Sequence, residues 1–208
     1  LVRCREMMSK ELRQSKNYVL KFLQARGFVY RDGENWTDKH WRYLRGLEFD
    51  GVDEQVWREY VWLLEYKLSR LEDLDRQIEE IAFSDAYREC VGRLRCLRGV
   101  DTHTAMVLAS EVGDFSRFAS AEQLMSFFGL VPGCHRSGNS SRRCSITKSG
   151  NSRCRHVLVE AAWNYRHKPR LSARLKARQG GQDPQVIAIS WKAQHRLHKK
   201  FWSLSARI

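Results

Sequence analysis

A chain of 208 residues with 42% hydrophobic residues and seven tryptophans is long and apolar enough to bury a core, which excludes a generally disordered protein. Its formal net charge of +13 favours a polyanionic partner, with an acidic membrane surface as the competing explanation. The sequence has neither a run of 18 apolar residues nor a signal segment, so we expect a soluble, cytoplasmic protein without a membrane partner.

The positive charge is concentrated in one segment. Between His135 and Arg178 the sequence holds twelve Lys or Arg residues and a single acid, Glu160, whereas the first half of the chain is close to balanced. We therefore expect nucleic-acid binding to be localised to this segment.

The first part of the chain predicts helices. Residues 1–28 show a helical pattern that is already under way at the first residue and stops at Gly27, so we expect the natural protein to begin upstream. Thr37 is a candidate N-cap for a short helix that turns Trp41 and Leu44 inward.

The longest periodic segment runs from Asp53 to about Ala82. Its apolar residues recur at three- and four-residue steps, interrupted by Lys67, and the part over 71–81 has the a/d spacing of a coiled coil. Because this segment is longer than an average helix, we expect either pairing with a second chain or a helical hairpin. A homo-oligomer, dimer or tetramer, formed through the 56–81 helix is the corresponding partner prediction.

A helix-hairpin-helix-like pattern follows a short predicted helix over 84–95. In "LRGVDTHTAMVLASEVG", Gly99 stands between two hydrophobic residues, and a short polar turn leads into a helix that ends at Gly113. In a helix-hairpin-helix the backbone N–H groups of this turn hold a DNA phosphate, and a plain helical turn is the alternative. The pattern makes Gly99, Thr102 and Thr104 candidate phosphate-binding residues.

Three further helices are predicted. One follows Ser120 as its N-cap and stops at Gly129, one covers 153–169, and the last covers 185–208. Aromatic residues at helical spacing are more often core than ligand-binding, so Trp163 and Trp191 are expected in the core.

Strand signals are weak in this sequence. "RRCSIT" alternates and predicts a short strand or an extended loop. The predicted fold is mainly α: long coiled-coil-like helices over 1–83, followed by a compact helical domain over 84–208 with the helix-hairpin-helix-like element.

The stretch "GCHRSGNSSRRCSITKSGNSRCRH", residues 133–156, is dense in small and basic residues. Small residues let the backbone approach a phosphate closely, and arginines neutralise its charge. Basic residues at the start of the following helix oppose the helix dipole unless an anion lies there, which also indicates phosphate. The candidate phosphate- and nucleic-acid-binding residues are Arg136, Gly138, Arg142, Arg143, Lys148, Asn151, Arg153 and Arg155.

A serine hydroxyl of this stretch can attack a phosphoryl group that is held in this way. Spacing alone leaves six candidate nucleophiles, and loop or capping roles for all of them are the alternative. The stretch contains no Asp or Glu, so a general base or a Mg²⁺ site must come from elsewhere. The candidates are Ser137, Ser140, Ser141, Ser145, Ser149 and Ser152.

The six cysteines form no C-x-x-C pair. Cys134, Cys144 and Cys154 recur every ten residues near His135 and His156, which makes a zinc site conceivable. The spacing fits no common zinc module, so we expect reduced thiols and no metal site in this chain.

Residues 97–163 resemble the C-terminal transposase domain of the bridge-RNA-guided insertion-sequence transposases. The matching landmarks are, in order, "LRGV", a small-residue helix, "GDFSRF", "AEQL", "GLVP", "SG", "ITKSGN" and a helix ending in "AAW". The helices before this region are similar to the coiled-coil linker of the same family.

The resemblance implies a recombinase that excises and inserts a mobile element at DNA sites chosen by base pairing to a structured guide RNA. It also implies that the serine of "SG", here Ser137, attacks the scissile phosphodiester and forms a covalent phosphoserine linkage. The family carries four carboxylates (DEDD) that bind Mg²⁺ on an N-terminal resolvase-like domain, which no segment here matches. We therefore expect this chain to supply the serine part of a composite active site and to be inactive alone.

Two non-catalytic hypotheses remain. The helix-hairpin-helix-like element and the basic stretch can form a DNA- or RNA-binding module in which Ser137 is only a loop residue. Alternatively, aromatic residues that lie among Arg and Lys in the last helices can stack on unpaired bases of an RNA.

Overall fold

The structure is a computed structural model that describes residues 1–137 and 140–206, with side chains for all of these except 134–144. The mainly α fold predicted from the sequence is confirmed. The helices and strands are α1 (Val2–Ala25), α2 (Asp38–Arg45), α3 (Gly51–Ala82), α4 (Arg88–Arg95), α5 (Thr102–Val112), α6 (Ala121–Phe127), β1 (Pro132–Ser137), β2 (Ser140–Ile146), α7 (Ser152–Ala162), α8 (Ala173–Gln179) and α9 (Pro184–Ser205).

The chain divides into two compact units, Leu1–Gln77 and Ile78–Ile208, which we call the N-terminal and C-terminal units. The division falls inside α3, whose last residues belong to the C-terminal unit. Within the described residues, no helix combines the length and hydrophobicity needed to cross a bilayer.

In the N-terminal unit, α1 and α3 form an antiparallel helical pair. Arg5 near the start of α1 binds Asp75 at 2.7 Å, and Arg26 just after its end binds Asp53 near the start of α3. Of the two arrangements expected for the long helix, the structure therefore contains the helical hairpin. An oligomer formed through residues 56–81 stays a prediction.

Aromatic rings fill the core between these helices. Phe22 stacks on Trp57 with ring centroids 5.8 Å apart and meets Phe49 edge-on at 5.3 Å. Trp57 is 5% exposed and Leu64 is fully buried, so the face of α3 that covers α1 is apolar. The expected cap of α2 is confirmed, because Thr37 Oγ1 accepts a hydrogen bond from His40 N.

Lys67, which interrupts the apolar stripe of α3, has partners on α1. Its ammonium donates to Ser15 Oγ at 3.0 Å and lies 3.6 Å from a carboxylate oxygen of Glu11. A largely buried charge is tolerated only when it is paired and hydrogen-bonded, and both conditions are met here.

In the C-terminal unit, α5 packs against α4 and α7, and α8 packs against α4. Small side chains let α5 come close to its neighbours, and Ala105 and Val107 are fully buried. The carbonyl of Cys96, just after α4, accepts hydrogen bonds from Gln179 Nε2 at 3.1 Å and from Ser190 Oγ at 2.5 Å. These buried bonds fix α8 and α9 to the end of α4.

Three features of the C-terminal unit differ from the sequence-based expectations. β1 was not predicted, because "PGCHRS" lacks strand-forming residues and is ordered by its pairing with β2. α8 was not predicted either. The core assignment of Trp163 and Trp191 is wrong, since they are 54% and 45% exposed.

Candidate phosphoryl-transfer and nucleic-acid site

Ser137 is the last residue of β1 and pairs with Ser140 across the β-hairpin. The two strands are antiparallel, with an irregularity between Pro132 and Cys134. At about 3.4 Å per strand residue, Ser137 lies about 17 Å beyond Pro132, at the far end of the hairpin. Of the predicted site residues, Gly138 lies outside the described residues.

The arginines of the hairpin are placed by the strand register. His135 pairs with Arg142, Cys134 with Arg143, and Arg136 with Ser141. Paired positions share a face of an antiparallel ribbon, and alternate positions along one strand share a face too. One face of the ribbon therefore contains positions 135, 137, 140 and 142, and the other face contains positions 134, 136, 141 and 143. The side chains of these residues lie outside the described part of the chain.

The base of the hairpin is fastened to the segment after α6. Thr147 N donates to Val131 O at 3.0 Å and Lys148 N donates to Gly129 O at 3.1 Å. Lys148 has a positive φ of 56° and an exposed side chain, so its ammonium is available to a ligand.

The glycine and asparagine of "ITKSGN" have structural tasks at the start of α7. Gly150 has a φ of +151°, and a Cβ atom there would lie 2.5 Å from Phe127 O and 2.8 Å from Gly129 N. Asn151 Oδ1 caps α7 by accepting hydrogen bonds from the backbone N–H groups of Arg153 and Cys154. The predicted phosphate contact of Asn151 thus competes with helix capping.

Glu111 completes this cap and was missed by sequence reasoning. Asn151 Nδ2 donates to Glu111 Oε2 at 2.7 Å, which ties the N-terminus of α7 to α5. A contact between residues 40 positions apart leaves no sequence pattern, so only the fold reveals it. Arg155, a predicted phosphate ligand, likewise donates from Nη1 to Phe128 O at 2.8 Å.

The helix-hairpin-helix-like element lies at the opposite end of α7. Gly99 has a φ of +83°, and a Cβ atom there would lie 2.6 Å from Ala161 O and 2.7 Å from Asn164 Nδ2. The close approach of α7 therefore accounts for this glycine, and its phosphate role stays a prediction. Because α7 rises about 1.5 Å per residue, the Asn151 and Ala161 ends are about 15 Å apart.

Asp101, also missed from the sequence, caps α5. Its Oδ1 accepts a hydrogen bond from Thr104 N at 2.8 Å, so one N–H of the predicted phosphate-binding turn already has an anionic partner. Burial opposes ionisation of the carboxyl, but the hydrogen bonds from Thr104 and the nearby charges of His103 and Arg178 outweigh it and lower the pKa of Asp101.

The structure thus separates the predicted site residues into two groups. One group lies towards the N-terminal end of α7 and contains the hairpin residues together with Lys148, Asn151, Arg153 and Arg155. The other group lies near the C-terminal end of α7, where Gly99 packs. Within the described side chains, no three His, Cys, Asp or Glu residues lie close enough together to hold a metal ion. The zinc alternative involving Cys134 and Cys144 falls outside the described side chains.

Part of the chain matches a known protein family. Residues 91–176 match the model of the "Transposase IS116/IS110/IS902 family". The matched segment begins within α4, includes the hairpin and ends within α8, so it contains both groups of predicted site residues.

Individual relatives are similar over most or all of this chain. A transposase-like protein of Sinorhizobium fredii, y4qE, is 38% identical over 207 residues, which is 100% of this chain and 50% of the relative. The transposase for insertion sequence element IS1533 of Leptospira borgpetersenii is 32% identical over 210 residues, 99% of this chain and 60% of the relative. The transposase for insertion sequence element IS1111A of Coxiella burnetii is 29% identical over 163 residues, which is 78% of this chain and 44% of the relative. The chain therefore spans about half the length of the curated relatives it matches.

Proposed function

Because this chain is related to the transposases of the IS116/IS110/IS902 family, we propose that it is the serine-bearing part of an enzyme that recombines DNA to move an insertion sequence. Ser137 is the nucleophile in this proposal. DNA is its substrate, and a structured guide RNA selects the DNA sites, as the resemblance to bridge-RNA-guided transposases implies.

The position of Ser137 is the observation that carries this proposal. Ser137 ends a β-strand about 17 Å beyond the base of a two-stranded ribbon. A narrow ribbon of this kind can enter a groove of DNA, because the major groove admits a two-stranded ribbon. The base is held by backbone hydrogen bonds and by the close packing of Gly150, which fixes where the hairpin leaves the C-terminal unit.

The proposed step is a transesterification. Ser137 loses its hydroxyl proton, a bond forms between its Oγ and phosphorus, and the bond from phosphorus to one sugar oxygen breaks. The proton released from serine and the proton taken up by the leaving oxygen balance. Since one phosphate ester replaces another, the linkage retains the energy needed for rejoining strands.

The charges around the hairpin suit this step. Lys148 is exposed at the base, and Arg136, Arg142 and Arg143 belong to the strands. Position 142 falls on the same ribbon face as position 137, so we assign Arg142 to the charge that develops on the non-bridging oxygens. Arg136 and Arg143 remain candidate contacts to phosphates flanking the scissile one, whereas Thr102 and Thr104, at the start of α5, are candidates for more distant phosphates.

A general base and Mg²⁺ are not assigned to this chain. The described side chains contain no group of acids suited to the metal. The resemblance places Mg²⁺ on four carboxylates of a resolvase-like domain, so we propose that such a domain completes the active site. Mg²⁺ supplies charge stabilisation at the reacting phosphate when bound.

Capture of the covalent intermediate tests the proposal. The chain is combined with the carboxylate domain, guide RNA, Mg²⁺ and end-labelled cognate DNA, and the products are denatured and separated. We expect a protein–DNA adduct that Ser137→Ala abolishes. As a control, Ser140→Ala removes a serine hydroxyl from the position paired with Ser137, and this variant should still form the adduct.

An adduct formed by Ser137→Ala would show that another residue is the nucleophile. If neither the unaltered protein nor Ser140→Ala forms an adduct although both bind DNA, the chain is a non-catalytic binding module. That second function is favoured by a cavity beside α5 that is lined by arginines.

A further inference from the structure

We propose that the C-terminal unit holds a second phosphate site, at the start of α5 and away from Ser137, which binds the backbone phosphates of DNA. The site is a cavity of about 770 Å³, which we call the arginine cavity. Five arginines line it: Arg95, Arg98, Arg170, Arg174 and Arg178. The choice of DNA as occupant rests on the proposed function.

The arginine cavity has a large excess of positive charge. Of the residues that line it in the described part of the chain, Asp101 is the only acid. Its carboxylate is already engaged in capping α5. Thr102, the first residue of α5, also lines the cavity, so the positive end of the helix dipole adds to the field of the arginines.

Two of the arginines are held in place by backbone carbonyl groups. Arg98 donates from Nη1 to Lys168 O at 2.9 Å, and Arg178 donates from Nη1 to Val100 O at 2.6 Å. Neither bond neutralises the guanidinium charge. The structure therefore orients these charges before any ligand arrives, which lowers the entropic cost of binding.

A bound anion would accept hydrogen bonds from donors of the cavity that have no partner, and it would reduce the repulsion between the arginines. The Nε atoms of Arg95 and Arg178 are buried and have no hydrogen-bond partner among the described residues. Burial lowers the pKa of Arg98, and the charge of Arg170 lowers it further. Burial likewise lowers the pKa of Arg178, with added repulsion from Arg95 and Arg174.

The size and layout of the cavity favour a strand over a single small ion. Its volume equals roughly 25 water molecules at about 30 Å³ each, more than one phosphate group fills. Arg174 and Arg178 are four residues apart on α8, so they lie about 6 Å apart along the helix axis. A row of arginines suits the repeated charges of a backbone, and guanidinium binds two phosphate oxygens at once.

The arginine cavity and the hairpin are far enough apart to contact different phosphates. Gly99, which lines the cavity, packs beside Ala161, whereas the base of the hairpin meets the Asn151 end of α7. These ends are about 15 Å apart. One strand can therefore be held in the cavity while a phosphate elsewhere on the DNA is presented to Ser137.

Salt-dependent DNA binding by the 208-residue chain tests this proposal. The variant pair Arg170→Gln with Arg174→Gln removes two exposed lining charges whose guanidiniums form no hydrogen bond or salt bridge with the described residues. The matched control, Lys176→Gln with Lys192→Gln, removes two exposed charges of α8 and α9 outside the cavity. Affinity for a duplex is measured by fluorescence anisotropy between about 50 and 200 mM salt.

We expect the cavity variant to bind duplex DNA at least tenfold more weakly at the lowest salt. Its slope of log affinity against log salt should be shallower by about 1.8, because each phosphate contact contributes about 0.9. The control should change the slope by less than half as much. Equal slopes for the two variants would overturn the proposal.

Two further ligands identify the occupant. Replacing Arg170 and Arg174 should weaken duplex DNA binding at least as much as binding of an RNA hairpin, and a loss confined to RNA would refute DNA as the occupant. Inorganic phosphate at constant ionic strength should compete weakly. If low concentrations displaced DNA from the unaltered chain but not from the cavity variant, the cavity would be a site for small anions.

The salt-dependence result for the cavity can be distinguished from the adduct result that tests the proposed function. Ser137→Ala should keep the unaltered salt slope, because it removes no charge. Unchanged slopes in the cavity variant together with an adduct that depends on Ser137 would reject the cavity and keep the nucleophile. A shallower slope in the cavity variant, together with an adduct that still forms in Ser137→Ala, would keep the cavity and reject Ser137 as the nucleophile.

Discussion

The two units use their charged residues differently. In the N-terminal unit, Arg5 and Arg26 bind carboxylates on the facing helix, Asp75 and Asp53. In the C-terminal unit, salt bridges such as Arg93–Glu89 join neighbouring turns, and Arg98, Arg155 and Arg178 donate to backbone carbonyl groups. A carbonyl orients a guanidinium but leaves its charge in place, so the C-terminal unit presents fixed positive charge to a ligand.

The packing of the two units differs as well. Large aromatic rings around Phe22 and Trp57 fill the N-terminal core. The C-terminal unit relies on close backbone approaches at Gly99 and Gly150, where no side chain fits. We propose from this comparison that the first unit contributes stability and the second contributes nucleic-acid binding and chemistry. Substitutions in both units and a change of pH test this division.

Trp57→Ala should have the largest effect on stability. It removes a nearly buried ring from the aromatic core, and we expect a loss of about 3–5 kcal/mol in the free energy of unfolding, measured by urea titration. Trp62→Ala, on the same helix but 61% exposed, should cost less than about 1 kcal/mol. If Trp57→Ala also flattened the salt dependence of DNA binding under folding conditions, the division of tasks between the units would be wrong.

Gly150→Ala should have an intermediate effect. A methyl group at this position meets Phe127 O and Gly129 N and forces a strained φ, so we expect a loss of about 3 kcal/mol. This corresponds to a fall in melting temperature of roughly 6–12 °C. Adduct formation by Ser137 should also decrease, because the base of the hairpin must move.

Gly113→Ala is the control that separates the cost of backbone strain from the cost of a steric clash at Gly150. Gly113 has a φ of +68°, but its Cβ position has no atom within 4 Å in the described structure. Because its ψ of −111° lies outside the left-handed α region, strain alone should cost about 1–3 kcal/mol, less than strain and collision together at Gly150. Equal losses for the two glycines would show that the close approach at Gly150 does not matter.

Mild acidification, from pH 8 to pH 5, should have the smallest effect, through His40 in the N-terminal unit. His40 is fully buried, and its Nδ1 accepts a hydrogen bond from Trp36 N at 3.0 Å. Burial lowers the pKa of His40, so the folded state binds fewer protons than the unfolded state. Stability should therefore decrease as pH falls below about 6.5, by at most about 1.4 kcal/mol per pH unit, until the lower folded-state pKa is passed.

Urea titrations at pH 8 and pH 5 check this expectation. His40→Asn keeps an acceptor near the Trp36 N–H but cannot titrate, so its pH dependence in this range should be smaller than that of the unaltered chain. A pH dependence that is the same in both proteins would assign the effect to other groups.

The helices were predictable because their signals are local. Thr37 and Ser120 are helix caps as expected, and Gly113 ends α5. A cap or a stop depends on a few neighbouring residues, so it can be recognised without the fold. The ordered motifs from "LRGV" to "AAW" also indicated a transposase family, in agreement with the family match over residues 91–176.

β1 was not predictable in the same way. Its residues have little intrinsic preference for a strand, and the conformation is stabilised by hydrogen bonds to β2. The exposure of Trp163 and Trp191 was also missed, because helical spacing places residues on a face but does not say whether another element covers that face.

The sequence by itself determined a mainly helical, strongly basic chain and a small-residue stretch that ends in capping residues. Only the tertiary structure decided which charges meet. It paired Arg5 with Asp75 across 70 positions, and it gathered Arg98, Arg174 and Arg178 around one cavity. The physical reason is that caps and periodicity act within a few residues, whereas charge clusters and close backbone approaches depend on distances that exist only after the helices have packed.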